Sequence, residues 1–312
     1  MIVMIRIIMF LVLTFLLHLS SISQSATEIR NSAYSAYKSW RTNKAINSEK
    51  LQEAVQFIDE AVQAKGGEND ATSWHLRGFI YKDLFTTRRS SEKASNYRSI
   101  AIESFSRSIQ LDKEGNLLEE NTKGLRFLAV SHYNDVVDII DTHDPKGIFQ
   151  AEHHYSEYCR IATELQSDTV LNERNVEYFL AMSTAHRKIY ETDRDEFDNH
   201  WQISNDYLNK VLEIDPNSFK ALYSTGVAYY NRGAYNLERL PYVDIHDLME
   251  IQSESMRSIE IALPFMIRAY EVDSSKIQAV RALRIINFNL NKIEESKQYE
   301  LREQELGGIQ PK

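Results

Sequence analysis

The stretch from Ser204 to Tyr235, SNDYLNKVLEIDPNSFKALYSTGVAYYNRGAY, holds the end of one predicted helix and the beginning of the next. Leu208, Val211 and Leu212 recur at helical spacing, which predicts a first helix with one apolar face to bury. Asp215-Pro216 ends that helix, because the residue before a proline is driven out of the helical region and a proline is accepted in the first helical turn. The stretch therefore predicts two helices joined by a tight turn.

The second helix of this stretch carries glycine on its packing face. Four residues share one stripe of this helix at i, i+4, i+7 and i+11: Leu222, Gly226, Tyr229 and Gly233. A glycine inside a helix costs about 1 kcal/mol relative to alanine. Close packing of a neighbouring helix would offset that cost, and we expect it along this stripe.

The order of these residues resembles a known repeat. An Asp-Pro turn followed by Gly226 and Tyr229 is similar to the tetratricopeptide repeat (TPR), a helix–turn–helix unit of about 34 residues. Trp74, Gly78 and Tyr81 match the family pattern W-x2-L-G-x2-Y in an earlier part of the chain. The chain departs from the pattern in four places: Arg77 and Thr225 stand where the family has leucine, Leu222 where it has tryptophan, and Ser204 where it has alanine.

One spacing tests the register of the proposed repeats. Four pairs of residues are separated by eleven positions: Ala54 and Lys65, Ala101 and Asp112, Ser204 and Asp215, and Ala262 and Asp273. Each pair begins with a small residue on a predicted packing face, and three of the four end in aspartate. This agreement indicates an internal repeat.

We therefore predict an all-α fold, a TPR-like right-handed superhelix (α-solenoid) of about six antiparallel helix pairs over residues 26–312. Ten glycines and five prolines in 312 residues are too few for the frequent turns of an all-β fold. The repeats are clearest at 72–113, 203–235 and 262–306, and those between 116 and 190 are degenerate. An insertion at 236–260 is expected to lengthen the helices on both sides of it, with Pro241 as a break.

Residues 1–25 differ in composition from the rest. Arg6 precedes an apolar run from Ile7 to Leu17, and small and polar residues follow. This pattern predicts a signal peptide that is cleaved near Ser25 or Ala26, and hence an exported protein, periplasmic or secreted, without membrane insertion after cleavage. The alternative is an uncleaved leader that tethers the protein to the membrane.

The acidic balance of the chain bears on its partners. The sequence has 36 basic and 45 acidic residues, a net charge of −9. Such a surface disfavours binding to nucleic acid or to anionic lipid. We predict no nucleic-acid partner.

The candidates for chemistry are weak. His153 and Glu157 share a helical face, which suggests a metal site, but the HExxH order of a zinc hydrolase and a third ligand are missing. Asp141-Thr142-His143-Asp144 has no accompanying nucleophile, and Cys159 lies in an apolar helical pattern that predicts a buried, inert thiol. No phosphate, dinucleotide or calcium motif occurs. We predict no catalytic residues, no cofactor and no metal.

A binding surface is the better-supported idea. If Leu222, Gly226 and Tyr229 face the core, the adjacent stripe presents other residues, and the same register transfers to two further helix pairs. The predicted groove residues are His75, Phe79 and Lys82, then Tyr223, Val227, Tyr230 and Asn231, and finally Arg281 and Asn289. The resemblance implies that this stripe lines the concave groove in which TPR proteins hold peptides or partner helices. The alternative is that its aromatic side chains only fill gaps between repeats.

The kind of partner is only partly constrained. TPR domains that hold chaperone C-terminal carboxylates use a lysine and an asparagine on this stripe, where His75 and Phe79 stand here. We predict a non-catalytic scaffold that binds a protein or peptide. The alternatives are an accessory subunit of a cell-envelope complex that binds peptides or cell-wall fragments, and a metal-dependent hydrolase.

Overall fold

The computed structural model of the chain describes residues 25–45, 47–165, 168–239 and 245–307. The predicted leader (except Ser25) and Pro241 lie outside these ranges. Within them the chain forms twelve α-helices, one short 3-10 helix at Gly67–Asn69 and no β-strand. The helices are α1 Ala26–Thr42, α2 Ser48–Gln63, α3 Ala71–Thr87, α4 Ala94–Leu111, α5 Leu118–Thr142, α6 Gln150–Glu164, α7 Asp168–Thr192, α8 Asp198–Ile214, α9 Phe219–Arg239, α10 Ile245–Val272, α11 Ile277–Asn289 and α12 Ile293–Gly307.

Consecutive helices pack in pairs. Five pairs pack closely, α1 with α2, α3 with α4, α7 with α8, α9 with α10 and α11 with α12, and α5 meets α6 through apolar side chains. The predictions of an all-α fold and of about six helix pairs are confirmed. The chain divides into two compact units, the first ending at Ser131 and the second beginning at His132. The border falls within α5. The first unit contains α1 to α4 with the beginning of α5, and the second contains the remainder.

Side chains at the helix ends explain where several helices begin. The Ser25 hydroxyl accepts from the backbone amide of Glu28, and the Glu28 carboxylate accepts from the backbone amide of Ser25, which makes a capping box at the start of α1. Asp70 caps α3 by accepting from the amides of Thr72 and Ser73 at 3.1 and 3.2 Å. Two of the first helices thus begin where the sequence supplies a capping oxygen.

The eleven-residue register corresponds to repeated packing. The small residue that opens each spacing is buried, with an exposed fraction of 0–2%: Ala54, Ala101, Ser204 and Ala262. The aspartates that close three of the spacings follow the last residue of a helix and accept a backbone amide of the next turn: Asp112 from Leu117, Asp215 from Asn217 and Asp273 from Ser275. In these three repeats the eleven-residue spacing therefore separates a small residue buried in the core from the aspartate that follows the end of the same helix.

The insertion lengthens α9 and α10, as predicted, to 21 and 28 residues. Glycine lets these helices approach closely. A methyl group built at Gly226 would lie 2.8 Å from Cε of Met266, and one at Gly233 would lie 2.6 Å from the backbone oxygen of Ser255. The expected close packing along the glycine stripe is therefore present. Pro264 lies inside α10 on an exposed face.

The core of the second unit consists of apolar clusters. One cluster joins α5 to α8 and includes Val136, Tyr155, Met182 and Ile189. Another joins α9 to α11 and includes Leu222, Ile259, Met266 and Leu283. Leu222 fills the position of the family's tryptophan as a fully buried aliphatic side chain.

The Asp144-Pro145 dipeptide precedes α6 but does not begin it. The Asp144 carboxylate accepts from the amides of Lys146 and Gly147 in a turn, and α6 begins only at Gln150. The next helix, α7, begins at Asp168.

Candidate functional site

The outward stripe of α9 lies beside the glycine stripe and faces α11. Tyr223, Val227 and Tyr230 are half-buried, and Asn231 is exposed. They occupy this position because Leu222 and Gly226, one place earlier in each turn, pack into the core against α10. The Tyr223 ring is stacked on Phe219, with ring centroids 5.8 Å apart.

These α9 side chains line a hollow in the second unit together with residues of α11. Its volume is about 180 Å³. The lining residues are Tyr223, Val227, Tyr230 and Asn231 of α9, Met266 of α10, and Gln278, Arg281, Ala282, Ile285 and Ile286 of α11. Five of the nine predicted groove residues are thus brought together from two helices that are neighbours only in space. We call this the α9–α11 hollow.

Polar groups surround the apolar floor of the α9–α11 hollow. The amide nitrogen of Asn289 donates to the Tyr230 hydroxyl at 3.0 Å, which places a sixth predicted residue beside it. Arg281 donates to the Glu303 carboxylate at 2.8 Å, and Arg284 donates to the other oxygen of that carboxylate. The hydrogen bond from Arg281 and the adjacent Arg284 lower the pKa of Glu303. Arg281 and Arg284 thus share one carboxylate, and 55% of the Arg281 side chain is exposed.

A second hollow lies in the first unit and has a volume of about 440 Å³. His75 and Phe79, two predicted groove residues on α3, line it. Its other lining residues are Arg30, Asn31, Tyr34, Tyr37 and Arg41 of α1, Thr72 and Leu76 of α3, and Glu120 of α5. We call this the α1–α3 hollow.

Lys82, the third residue predicted on α3, does not line this hollow. Its ammonium group lies over the rings of Phe79 and Phe127, 5.3 and 5.4 Å from their centroids, and 3.3 Å from the Asp83 carboxylate. Asp83 also accepts from the Tyr37 hydroxyl at 2.7 Å. Lys82 is thus held by rings and a carboxylate of its own unit.

The α1 face of the α1–α3 hollow was missed from the sequence. Tyr34 is 56% exposed, and the Arg41 guanidinium lies 5.8 Å from the centroid of the Tyr37 ring. Tyr34 and Tyr37 are three residues apart, as on one face of a helix, but α1 carries no TPR signature residue that would set its register. No local signal therefore indicated which face of α1 meets α3.

The candidates for metal and thiol chemistry are engaged otherwise. The Glu157 carboxylate accepts from Arg160 at 2.9 Å, and this hydrogen bond lowers the pKa of Glu157. In the described ranges no three His, Cys, Asp or Glu side chains are grouped as a metal site requires. Cys159 is half-buried rather than fully buried, and burial raises the pKa of its thiol, which disfavours the reactive thiolate.

The two adjacent histidines of α6 differ in exposure. His153 is exposed, but His154 is half-buried, with its Nδ1 3.1 Å from Nδ1 of His132.

Within the described part of the chain, no helix combines the length and apolar character that crossing a bilayer requires.

Comparison with known proteins identifies helical-repeat structures. No family model and no curated protein sequence matches the chain. Among solved structures, it is similar to a TPR repeats protein (BF2334) from Bacteroides fragilis NCTC 9343, with 13% identity over 85% of this chain and 99% of that chain and a TM-score of 0.43. It is also similar to a monomeric mutant of IFIT1 with Gppp-AAAA (12% identity, 84% and 47% covered, TM-score 0.35) and to the TPR2AB-domain:pHSP90-complex of yeast Sti1 (13%, 90% and 90%, TM-score 0.25).

The likeness to a TPR rests on this chain's own features. Its helices are paired, its repeats keep one register of buried small residues and capped ends, and its glycines lie where paired helices approach. The chain is a TPR-like all-α protein.

Proposed function

We propose that this protein is an exported, non-catalytic scaffold that binds a peptide or a helix of a partner protein through the residues lining its two hollows. The observation that carries the proposal is the α9–α11 hollow, in which side chains selected by repeat register alone meet across adjacent helix pairs. A hollow between these side chains supports a binding role over the alternative that they fill gaps between repeats.

The composition of the α9–α11 hollow suits recognition of a side chain. Val227, Met266 and Ile285 supply apolar surface, and Tyr223 and Tyr230 supply rings with a polar tip. Tyrosine contributes large contact area at a low cost in side-chain entropy, and it is common at binding hot spots. A volume of about 180 Å³ suits one apolar side chain of a ligand, anchored while the rest of the ligand lies over the polar surroundings.

Export is part of the proposal and rests on the leader pattern at residues 1–25. An exported scaffold would meet its partner in the cell envelope or outside the cell. The net charge of −9 favours a partner with a neutral or basic surface over nucleic acid or anionic lipid.

The experiment is affinity capture from an envelope fraction with the full chain as bait, followed by titration of the recovered partner. We expect Tyr223→Ala and Tyr230→Ala each to weaken binding about tenfold or more, because truncating an aromatic hot spot typically costs about 2 kcal/mol or more, and about 1.4 kcal/mol is a factor of ten. Tyr230→Phe removes only the hydroxyl that accepts from Asn289, so we expect a smaller loss.

Tyr299→Ala is the matched control. Tyr299 is a half-buried tyrosine of α12, in edge contact with Tyr270, and it does not line the α9–α11 hollow. Equal binding by the two groove variants and the wild type would show that the assignment of this hollow is wrong. Recovery of an enzyme whose activity rises with the bait would identify the scaffold as an accessory subunit.

A further inference from the structure

A buried hydrogen-bond chain ends on a side chain of the α1–α3 hollow. The Ser108 hydroxyl of α4 lies 2.8 Å from the backbone carbonyl oxygen of Ala71. The same hydroxyl oxygen lies 2.9 Å from the side-chain nitrogen of Asn121, whose side-chain oxygen lies 2.8 Å from Nδ1 of His75. Ser108 and Asn121 are both fully buried, at 0% exposure.

The direction of this chain follows from its first member. A carbonyl oxygen can only accept, so the single hydroxyl proton of Ser108 is donated to Ala71. Ser108 must then accept from the amide nitrogen of Asn121, which turns the Asn121 oxygen toward His75. The opposite orientation would place two acceptors, the Ser108 oxygen and the Ala71 carbonyl, 2.8 Å apart without a proton between them.

The orientation of Asn121 determines the tautomer of His75. Because the Asn121 oxygen can only accept, Nδ1 of the neutral His75 ring carries the proton, and Nε2 carries the lone pair. Nε2 has no hydrogen-bond partner among the described residues. The His75 ring is held at its edge by Phe79, with ring centroids 4.9 Å apart, and it lines the hollow.

The acidic residue of the same hollow lies on α5 and is paired with a lysine. The Glu120 carboxylate, which lines the hollow, accepts from the Lys123 ammonium at 3.0 Å. On α3, the side-chain acceptors among the residues that line the hollow are the His75 Nε2 and the Thr72 hydroxyl.

We propose that Ser108 and Asn121 are positioning residues that make His75 a hydrogen-bond acceptor toward the α1–α3 hollow, so that the ligand group bound there is a hydroxyl or N–H donor. This inference rests on the proposed function, because it assigns ligand chemistry to one of the two hollows. A neutral His75 in this tautomer rejects a carboxylate at that point, since two lone pairs would face each other.

The first test needs no ligand. Nitrogen-15 NMR of the histidine side chains at pH 8, where an ordinary histidine is neutral, reports which ring nitrogen carries the proton. We expect His75 to be in the Nδ1–H form in the full chain, whereas an unconstrained histidine favours the Nε2–H form. Asn121→Leu should return His75 to the Nε2–H form, and Ser108→Ala, which frees Asn121 to turn, should give a mixture.

Ser104→Ala is the matched control, because Ser104 is a buried serine of the same helix that contacts Arg77 and not Asn121. It should leave the His75 tautomer unchanged. An Nε2–H form in the wild type would overturn the proposal. Thermal unfolding of each variant verifies that its fold is retained. If Asn121→Leu does not fold, the wild-type and Ser108→Ala spectra test the predicted tautomer.

The second test uses phenol and toluene, which have the same shape but differ in the hydroxyl donor. We expect phenol to shift the His75 Nε2 resonance in the wild type, toluene to shift it far less, and Asn121→Leu to lose the difference. Equal shifts by the two probes would refute the ligand class. Failure of partner capture with the expected tautomer and phenol response would refute the proposed scaffold function and not this assignment.

Discussion

At the scale of single residues, a charged side chain takes the place of the family's leucine on α3. The Arg77 side chain is only 14% exposed, and its guanidinium donates to the Asp59 carboxylate of α2 at 2.8 Å and to the Ser104 hydroxyl of α4 at 3.1 Å. The Tyr81 hydroxyl donates to the other oxygen of Asp59 at 2.6 Å. The Asp59 carboxylate thus joins α2 to α3, and the Arg77 guanidinium joins α3 to α4.

Removing that carboxylate should be costly. In Asp59→Ala, the charge of Arg77 loses its counter-ion and the Tyr81 hydroxyl loses its acceptor, so we expect a loss of about 2 kcal/mol in the free energy of unfolding. Asp59→Asn keeps an acceptor and should cost about half as much. Urea denaturation measures both, with the exposed neighbour Glu60→Ala as control. An unchanged midpoint in Asp59→Ala would contradict the role of this cluster.

The two glycines of the α9 stripe are expected to differ on substitution. At Gly233 a methyl group would meet the backbone oxygen of Ser255 at 2.6 Å and Cγ1 of Ile259 at 2.8 Å, and a backbone cannot move without shifting α10. At Gly226 the nearest atom is the flexible end of Met266, and the next lies 3.4 Å away. A methyl group at Gly233 would therefore meet rigid backbone, whereas one at Gly226 would meet a side chain that can rotate.

We expect Gly233→Ala to lower the free energy of unfolding by about 2 kcal/mol, because overpacking exceeds the gain of about 1 kcal/mol in helix propensity. Gly226→Ala should change it by less than about 0.5 kcal/mol. Thermal unfolding of the two variants in parallel makes each the control of the other. A larger loss at Gly226 would mean that Met266 cannot turn aside.

At the scale of elements, α7 and α8 are joined by a pair of buried histidines. Nδ1 of His186 lies 2.7 Å from Nδ1 of His200, and both side chains are buried among the rings of Phe149, Phe197 and Tyr207. Burial, and then the neighbouring His200, lower the pKa of His186 to about 4, and burial lowers the pKa of His200. The interface therefore requires neutral rings.

This pair predicts a loss of stability in mild acid. Between pH 6.5 and pH 4 the unfolded chain binds protons at these histidines that the folded chain does not, so stability is complete above about pH 6.5 and falls as the pH decreases toward 4. We expect a loss on the order of 2 kcal/mol over this range. Urea denaturation at several pH values measures it.

His186→Phe should flatten this dependence, because the ring keeps its packing and loses its titration. The exposed His153→Gln should leave the dependence unchanged. An identical slope in His186→Phe and in the wild type would show that other groups cause the acid sensitivity.

Local patterns predicted the helices and one of their packing faces, because the eleven-residue spacing joins a buried small residue to a capped end within a single helix. They did not predict contacts that depend on distant parts of the chain. Ser204 departs from the family's alanine because its hydroxyl donates to the backbone oxygen of Ser183 in α7, at 2.8 Å. The bond between Asn121 and His75 spans 46 residues, and no periodicity indicates it.

At the scale of the whole molecule, the sequence register identified parts of both hollows but not their full linings. The α9–α11 hollow contains most of its predicted residues because α9 and α11 both carry the TPR-like pattern. The α1–α3 hollow was predicted only on its α3 side, by His75 and Phe79. Because α1 lacks the TPR-like pattern, the repeat register could not assign its tyrosines and Arg41 to the hollow. The residues that line a hollow can thus be predicted only on helices whose sequence carries the TPR-like pattern.

The proposed export makes a prediction about the intact protein. Mass spectrometry of the protein recovered from an envelope or culture-medium fraction should show an N-terminus at Ser25 or Ala26, or one residue beyond. Substituting Arg6 and placing a charged residue within the Ile7–Leu17 run should leave the protein in the cytosol at full length. An exported protein that retains Met1 would establish the tethered form.

The capping box at the start of α1 bears on the proposed cleavage. A peptidase holds its substrate as an extended strand, whereas Ser25 and Glu28 close the first helical turn over the same peptide bonds. If the leader is cleaved as proposed, we expect the cut to come before this turn forms. Cleavage just before Ser25 would leave its hydroxyl in place to cap α1. The first helix of the repeat domain could then form as soon as the leader is removed.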